Sequence, residues 1–308
     1  MTTLNRTDLQ SMSDIIATIK QLDLWEMPVE PEPLSGGITN ANFRVVDGSK
    51  QYFVRAGDDI PLHGVMRFNE LAASQAGFQA GISPRVVHQQ PGIMVLEFID
   101  GKTFAEEDVR DSANLERILP IIKTCHREMP KFFRGPALIF WVFQVVRDYA
   151  QTLEIGNSRM RPELPNLLEI STELENAVGQ VDIVFGHNDL LPANFIDDGD
   201  RIWLIDFDYA GFNSPLFDLG GLASNNGLDE NQERWLLENY FESDLTEKTW
   251  VSYQAMKCAS LLRESMWSMV SEIHSQLDFD YVAYTSENLE RLESALREFR
   301  HIAGENHG

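Results

Sequence analysis

The chain has 308 residues, 43% of them hydrophobic and 24% charged, enough to fill one large core or two modest ones. A formal net charge of −23 and a sequence pI near 4.6 argue against a nucleic-acid backbone or an anionic membrane as main partner. The same acidity would welcome a small cation, and it also keeps a protein in solution.

The two cysteines, Cys125 and Cys258, lie far apart in helical patterns, so no disulfide framework is implied and a cytoplasmic setting is expected. The opening MTTLNRTDLQSMSD has no signal-peptide apolar region. The most apolar run, Ala137 to Val146, is too short to cross a bilayer and reads as a buried helix.

In chain order, Asp8 to Leu24 suggests an amphipathic helix, stopped by Pro28, Pro31 and Pro33. A sheet is expected next, with strands at Ala41 to Val46 and Gln51 to Arg55. The paired Gly36 and Gly37 before it would let backbone amides approach phosphate oxygens, although two glycines alone are commonly an ordinary turn. Arg55, at a strand end, suits phosphate oxygens. Glu70, in the helical stretch Arg67 to Ala76, either pairs with Arg55 or lies on a solvated face. Val86 to His88 and Ile93 to Ile99 form a second hairpin, with backbone near Glu97 and Ile99 placed to face an adenine. The boundary is expected near Gly101, giving an N-terminal nucleotide-binding part over residues 1–100 and a C-terminal catalytic and substrate-binding part over residues 101–308.

Beyond Thr103 the periodicity predicts helices over Leu115 to Met129, Phe140 to Leu153, Leu167 to Val178, Leu216 to Ala223, Glu230 to Phe241, Thr246 to Ile273 and Tyr281 to Ile302. Among them lies FGHNDLLPANFIDDGDRIWLIDFDYAGFNSPLFD, Phe185 to Asp218. His187, Asp189 and Asn194 reproduce the His-x-Asp-x-x-x-x-Asn spacing of kinase catalytic loops, and a further acid follows at Asp206. Phosphoryl transfer needs an aligned hydroxyl, charge compensation and Mg²⁺ on the phosphates. Asp189 would take the hydroxyl proton; Asn194 and Asp206, at one end of a hairpin turning at Asp197 to Asp200, would offer Mg²⁺ oxygen ligands. His187 reads as a brace that orients the loop.

HNDLLPANFI followed by LIDFDYAGFNSPLFDLG resembles the choline/ethanolamine kinase family, within the aminoglycoside phosphotransferase-like and protein-kinase-like enzymes. The likeness runs from about Leu34 to Leu296. It implies an α+β, bilobal protein-kinase-like fold, with a small antiparallel N-terminal lobe and a larger helical C-terminal lobe. It implies ATP and Mg²⁺ as cofactors; a monomer or homodimer without stable membrane insertion is expected. By resemblance Asp189 and Asp208 are catalytic and Asn194 and Asp206 bind metal. SGGITNANF and YFVRAG, with the acid and hinge described above, would supply Gly36, Gly37, Thr39, Asn40, Asn42, Arg55, Glu70, Glu97 and Ile99 around the nucleotide.

The segment RESMWSMVSEIHSQLDFDYVAY is similar to the family's Trp-bearing helix and its Phe-Asp-Tyr-x-x-Tyr segment, implying that Tyr209, Trp267, Tyr281 and Tyr284 wall a quaternary-ammonium pocket, unless they are ordinary packing aromatics. Where the family commonly has a second Trp, this chain has Glu264, which either pairs with an ammonium group or points to solvent. The substrate implied is a small cationic alcohol, choline or ethanolamine, with thiamine or an aminoglycoside as the alternative. A non-catalytic nucleotide-binding protein is the alternative of another class.

Overall fold

The computed structural model describes residues 12–34, 40–275 and 279–305. They divide into two compact units, one of residues 1–59 and 84–99, the other of 60–83 and 100–308, taken over the whole chain.

The first unit begins with α1 (Met12–Lys20), shorter than the expected helix, whose first residues lie outside the described ones. Its five strands are β1 (Glu32–Pro33), β2 (Ala41–Asp47), β3 (Lys50–Ala56), β4 (Val86–Gln90) and β5 (Ile93–Glu97). They pair antiparallel in the order β1-β2-β3-β5-β4. Alternation along β2 sends Phe43 and Val45 inward, where they meet Val54, Val95 and Ile19 in a core of their own. Asp47 fixes the preceding loop by accepting the N–H groups of Glu26 and Met27.

The second unit takes in α2 (Arg67–Gln79) and then β6 (Lys102–Thr103), α3 (Glu106–Arg110), α4 (Ser112–Arg127), α5 (Met129–Phe132), α6 (Val142–Ile155) and α7 (Leu164–Val178). Short strands follow: β7 (Val184–Gly186), β8 (Phe195–Asp197), β9 (Ile202–Leu204) and β10 (Gly211–Asn213). Helices α8 (Pro215–Asn226), α9 (Glu230–Phe241), α10 (Glu247–His274) and α11 (Tyr281–Glu305) complete it. Helix α10 is buried almost all round, and α6, α7, α8 and α11 pack on it. Gly220 permits a close approach of α8 to α10, since a Cβ there would stand 2.9 Å from Lys257 Cα.

The stretch Ala137 to Val146 departs from its expected helix. Phe212 N donates to Leu138 O and Phe140 N to Phe212 O, so this part of the chain runs beside β10, leaving Ile139 at 78% exposure. The helix starts only at Val142. An apolar run of this length fits a strand edge as well as a helix, and the backbone acceptors of β10 decide the matter.

Candidate active site

Strand β7 pairs with β10, and the loop carrying His187, Asn188 and Asp189 leaves its end. Asn188 has a left-handed φ of 65°, a conformation Asn tolerates better than most residues. Its amide nitrogen donates to Tyr209 O and Gly211 O, and its Oδ1 accepts from Asn213 Nδ2. Gly186 makes room for this side chain, because a Cβ there would lie 2.6 Å from Asn188 Oδ1.

Asp218, from the first turn of α8, accepts the N–H groups of His187 and Asn188, each at 2.7 Å. Its Oδ2 also takes His126 Nε2 at 2.9 Å, and His126 Nδ1 accepts from the Tyr240 hydroxyl. Burial alone would raise this carboxyl; the His126 and backbone hydrogen bonds overcome it and hold the pKa below the usual carboxylate value. His187 donates from Nε2 to Ile205 O, which ties the loop to the strand ahead of Asp206. Burial keeps that imidazole neutral by lowering its pKa.

Strands β8 and β9 form the expected hairpin, and Ile205 N extends it by donating to Asn194 O. Asn194 and Asp206 therefore leave at the same end. Asn194 turns its amide nitrogen to Asp189 O at 2.8 Å, which directs its oxygen the other way. Asp206 sits at φ 68°, a costly geometry for a non-glycine residue and one that concentrates at functional sites. The turn acids are engaged: Asp197 takes a two-pronged ion pair from Arg117, and Asp198 accepts from Trp203 Nε1.

Asp208 is buried and accepts from Arg67 Nη1 at 2.7 Å; the same nitrogen is 2.6 Å from Glu70 Oε2. Glu70 is 2% exposed, which removes the solvated-face alternative. Asp189 lies among these acids. Burial lifts its carboxyl to about 8, with Glu264, Asp206 and Asp208 adding to the effect and Arg263 opposing it.

The expected aromatic residues do gather. Trp267 Nε1 donates to the Tyr209 hydroxyl at 3.0 Å, and the Trp267 ring lies 6.1 Å from Tyr281 and 6.5 Å from Tyr284. The cation against Tyr209 belongs to the protein itself: the Arg263 guanidinium stands 4.3 Å from that ring's centre. His63 flanks Trp267 at 5.3 Å. Glu264 is held, not solvent-directed, because Oε2 accepts from Arg263 and Oε1 from the Tyr284 hydroxyl, both at 2.9 Å.

In the first unit Arg55 is buried on β3, opposite Asn42 of β2, with Asn40 just ahead of that strand. Glu97 N donates to Arg85 O, its carboxylate pairs with Arg85 Nε, and Ile99 is the last residue of the unit. Gly36, Gly37 and Thr39 lie outside the described residues.

Sequence reasoning missed Asp218, His126, Arg67 and Arg263. The signal for Asp218 was a lone acid in the first turn of an apolar helix. That for Arg263 was a cation next to the acid where an aromatic residue was expected.

A five-stranded antiparallel unit, a mainly helical unit, and a His-x-Asp loop followed by a short hairpin define a phosphotransferase of protein-kinase-like fold. The choline/ethanolamine kinase family profile matches residues 32–252, and the chain belongs to that family. It is a small-molecule kinase acting on an alcohol hydroxyl. It is 27% identical over 294 residues to a probable ethanolamine kinase A of Dictyostelium discoideum, with 84% of this chain and 83% of that protein covered. A choline/ethanolamine kinase family protein of Mesorhizobium loti has a similar structure, with TM-score 0.76, 25% identity, and 96% and 99% of the two chains covered. Choline kinase LicA of Streptococcus pneumoniae shares the fold at TM-score 0.75 and 23% identity, over 92% and 99%. Among the described residues no helix is long and apolar enough to cross a membrane.

Proposed function

We propose that this protein transfers the γ-phosphoryl group of ATP to the hydroxyl of a small amino alcohol of the choline or ethanolamine type. The convergence of Asp189, Asn194 and Asp206 at one hairpin end is the observation that carries this reading. The acceptor oxygen bonds to the γ-phosphorus as the bond to the ADP oxygen breaks, and the hydroxyl proton passes to Asp189 in its ionised form. Asp218 and His187 hold that loop rigid from behind.

The donor set fits Mg²⁺. No group of three or more His, Cys, Asp or Glu able to hold a metal occurs among the described residues. Mg²⁺ is ordinarily held by one or two carboxylates plus nucleotide phosphates, and Asn194 with Asp206 supplies oxygens of that kind. When bound, Mg²⁺ would neutralise charge on the phosphates. Asp208, fixed by Arg67, would act close to this metal and the acceptor. In this reading Asn40, Asn42 and Arg55, with Gly36, Gly37 and Thr39, would be nucleotide-binding residues. A cytoplasmic setting belongs to it too, supported by the two free, buried thiols of Cys125 and Cys258.

The test is a coupled ADP-release screen over choline, ethanolamine, thiamine and aminoglycosides with MgATP. Release with an amino alcohol is expected. Release with none of the set, or only with an aminoglycoside, would overturn the reading.

A further inference from the structure

The acid behind the His187–Asp189 loop is the middle of a longer buried chain. Helix α4 carries Ile118, Ile122 and His126 on one buried stripe. Its last turn grips both the strand ahead of the loop and the acid behind it: the Cys125 thiol donates to Phe185 O at 3.6 Å, and His126 Nε2 meets Asp218 Oδ2 at 2.9 Å. On the other side of the imidazole, Nδ1 meets the hydroxyl of Tyr240, from α9, at 2.7 Å. His126, Asp218 and Tyr240 are each 2% exposed, so bulk water does not replace a lost partner.

The order of donors follows from the two ends. Asp218 already takes the His187 and Asn188 amides and is held ionised, so it can only accept, and His126 donates from Nε2. The neutral ring then has a lone pair at Nδ1, which Tyr240 fills. Burial pushes the phenol's pKa up, so Tyr240 keeps the proton that it donates. Without this hydroxyl the ring can carry its proton on Nδ1, and the Nε2 lone pair would face the Asp218 carboxylate. The carboxylate would turn from that contact and carry the His187 and Asn188 amides with it. Tyr240 is itself fixed by Arg127, whose guanidinium stands 5.4 Å from the ring centre and donates to the Tyr240 carbonyl.

We propose that Tyr240 is a remote positioning residue for phosphoryl transfer: its hydroxyl selects the Nε2–H tautomer of His126, which holds Asp218 on the His187 and Asn188 amides and so sets the position of Asp189. This rests on the kinase reading and adds two residues to it that touch neither nucleotide nor acceptor.

Three variants test it, Tyr240→Phe, His126→Leu and His126→Gln, with melting curves to establish that each is folded. With MgATP and an amino alcohol that supports wild-type turnover, Tyr240→Phe should lower kcat about tenfold and leave both KM values within about threefold. His126→Leu should lower kcat further, His126→Gln should recover part of that loss by restoring an N–H donor, and Tyr240→Phe should add nothing to His126→Leu because it acts through that ring. Two readouts do not depend on turnover. Ring-nitrogen NMR shifts should show His126 protonated at Nε2 only in the wild type and also at Nδ1 in Tyr240→Phe, and the His187 and Asn188 amides should exchange with solvent faster in the variant. A wild-type ring protonated at Nδ1 overturns the proposal, as does a Tyr240→Phe protein with wild-type kcat and wild-type amide exchange. A loss of melting temperature with kcat unchanged would reduce Tyr240 to packing and overturn it too. Wild-type protein that releases no ADP with any acceptor would remove the kinase reading, and the tautomer and exchange measurements would still decide whether Tyr240 sets the loop.

Discussion

Arg67 Nη1 donates to Asp208 Oδ1 at 2.7 Å, with the two side chains 17% and 5% exposed. The same nitrogen serves Glu70, so one guanidinium contacts two acids that are out of water. Arg67→Met leaves both carboxylates without it. Removing one member of a buried ion network costs about 3–5 kcal/mol, so a loss of that size is expected in equilibrium denaturation, with partial recovery when Glu70→Gln is added. A loss below about 1 kcal/mol would contradict the arrangement.

Asp218→Ala removes the acceptor of the His187 and Asn188 amides. Each buried donor left without a partner costs about 1–3 kcal/mol, and the loop loses its fixed shape. We expect kcat to fall by about 100-fold or more with a smaller change in KM. The pH dependence has a definite sign. The folded carboxyl titrates below its ordinary value, so the unfolded chain binds more protons and stability drops as pH falls through the carboxylate range. Asp218→Ala should lose this component, as read from melting temperature between neutral and acidic pH.

Asp189 behaves in the opposite sense. Its carboxyl, lifted to about 8, binds a proton in the folded chain that the unfolded chain releases near the ordinary carboxyl value of 3.8. Stability is therefore given up as pH rises through that window, a cost accepted at a reactive site. Asp189→Asn should stabilise the ligand-free protein at pH near 8 by roughly 1–3 kcal/mol, discounted from the full shift for partial exposure, and should have little effect near pH 4. Denaturation curves at the two pH values decide it, and equal differences at both would count against a raised Asp189.

The hairpin end that joins Asn194 to Asp206 was legible because turn chemistry at Asp197 to Asp200 fixes the register of two short strands. The long helices were legible from their apolar period, which packing on α10 requires. Other features depend on partners remote in sequence. Asp218 reaches back about thirty residues to the His187 and Asn188 amides, and Arg67 meets Asp208 from 141 residues away. No local pattern encodes such pairs. Glu264 was visible as a departure, but the hold that Arg263 and Tyr284 exert on it was not, because it depends on how α10 and α11 pack.

The central claim is that Asp189, with Asn194 and Asp206, transfers phosphate from ATP to a hydroxyl. The direct measurement follows γ-labelled ATP in single-turnover assays, with an amino alcohol that supports wild-type turnover, and compares wild type with Asp189→Asn. The account predicts labelled acceptor in step with ADP for wild type, a loss of about 10³-fold or more in the variant, and nucleotide affinity within about threefold. Wild-type protein that moves no label, or a variant that turns over at the wild-type rate, would contradict it.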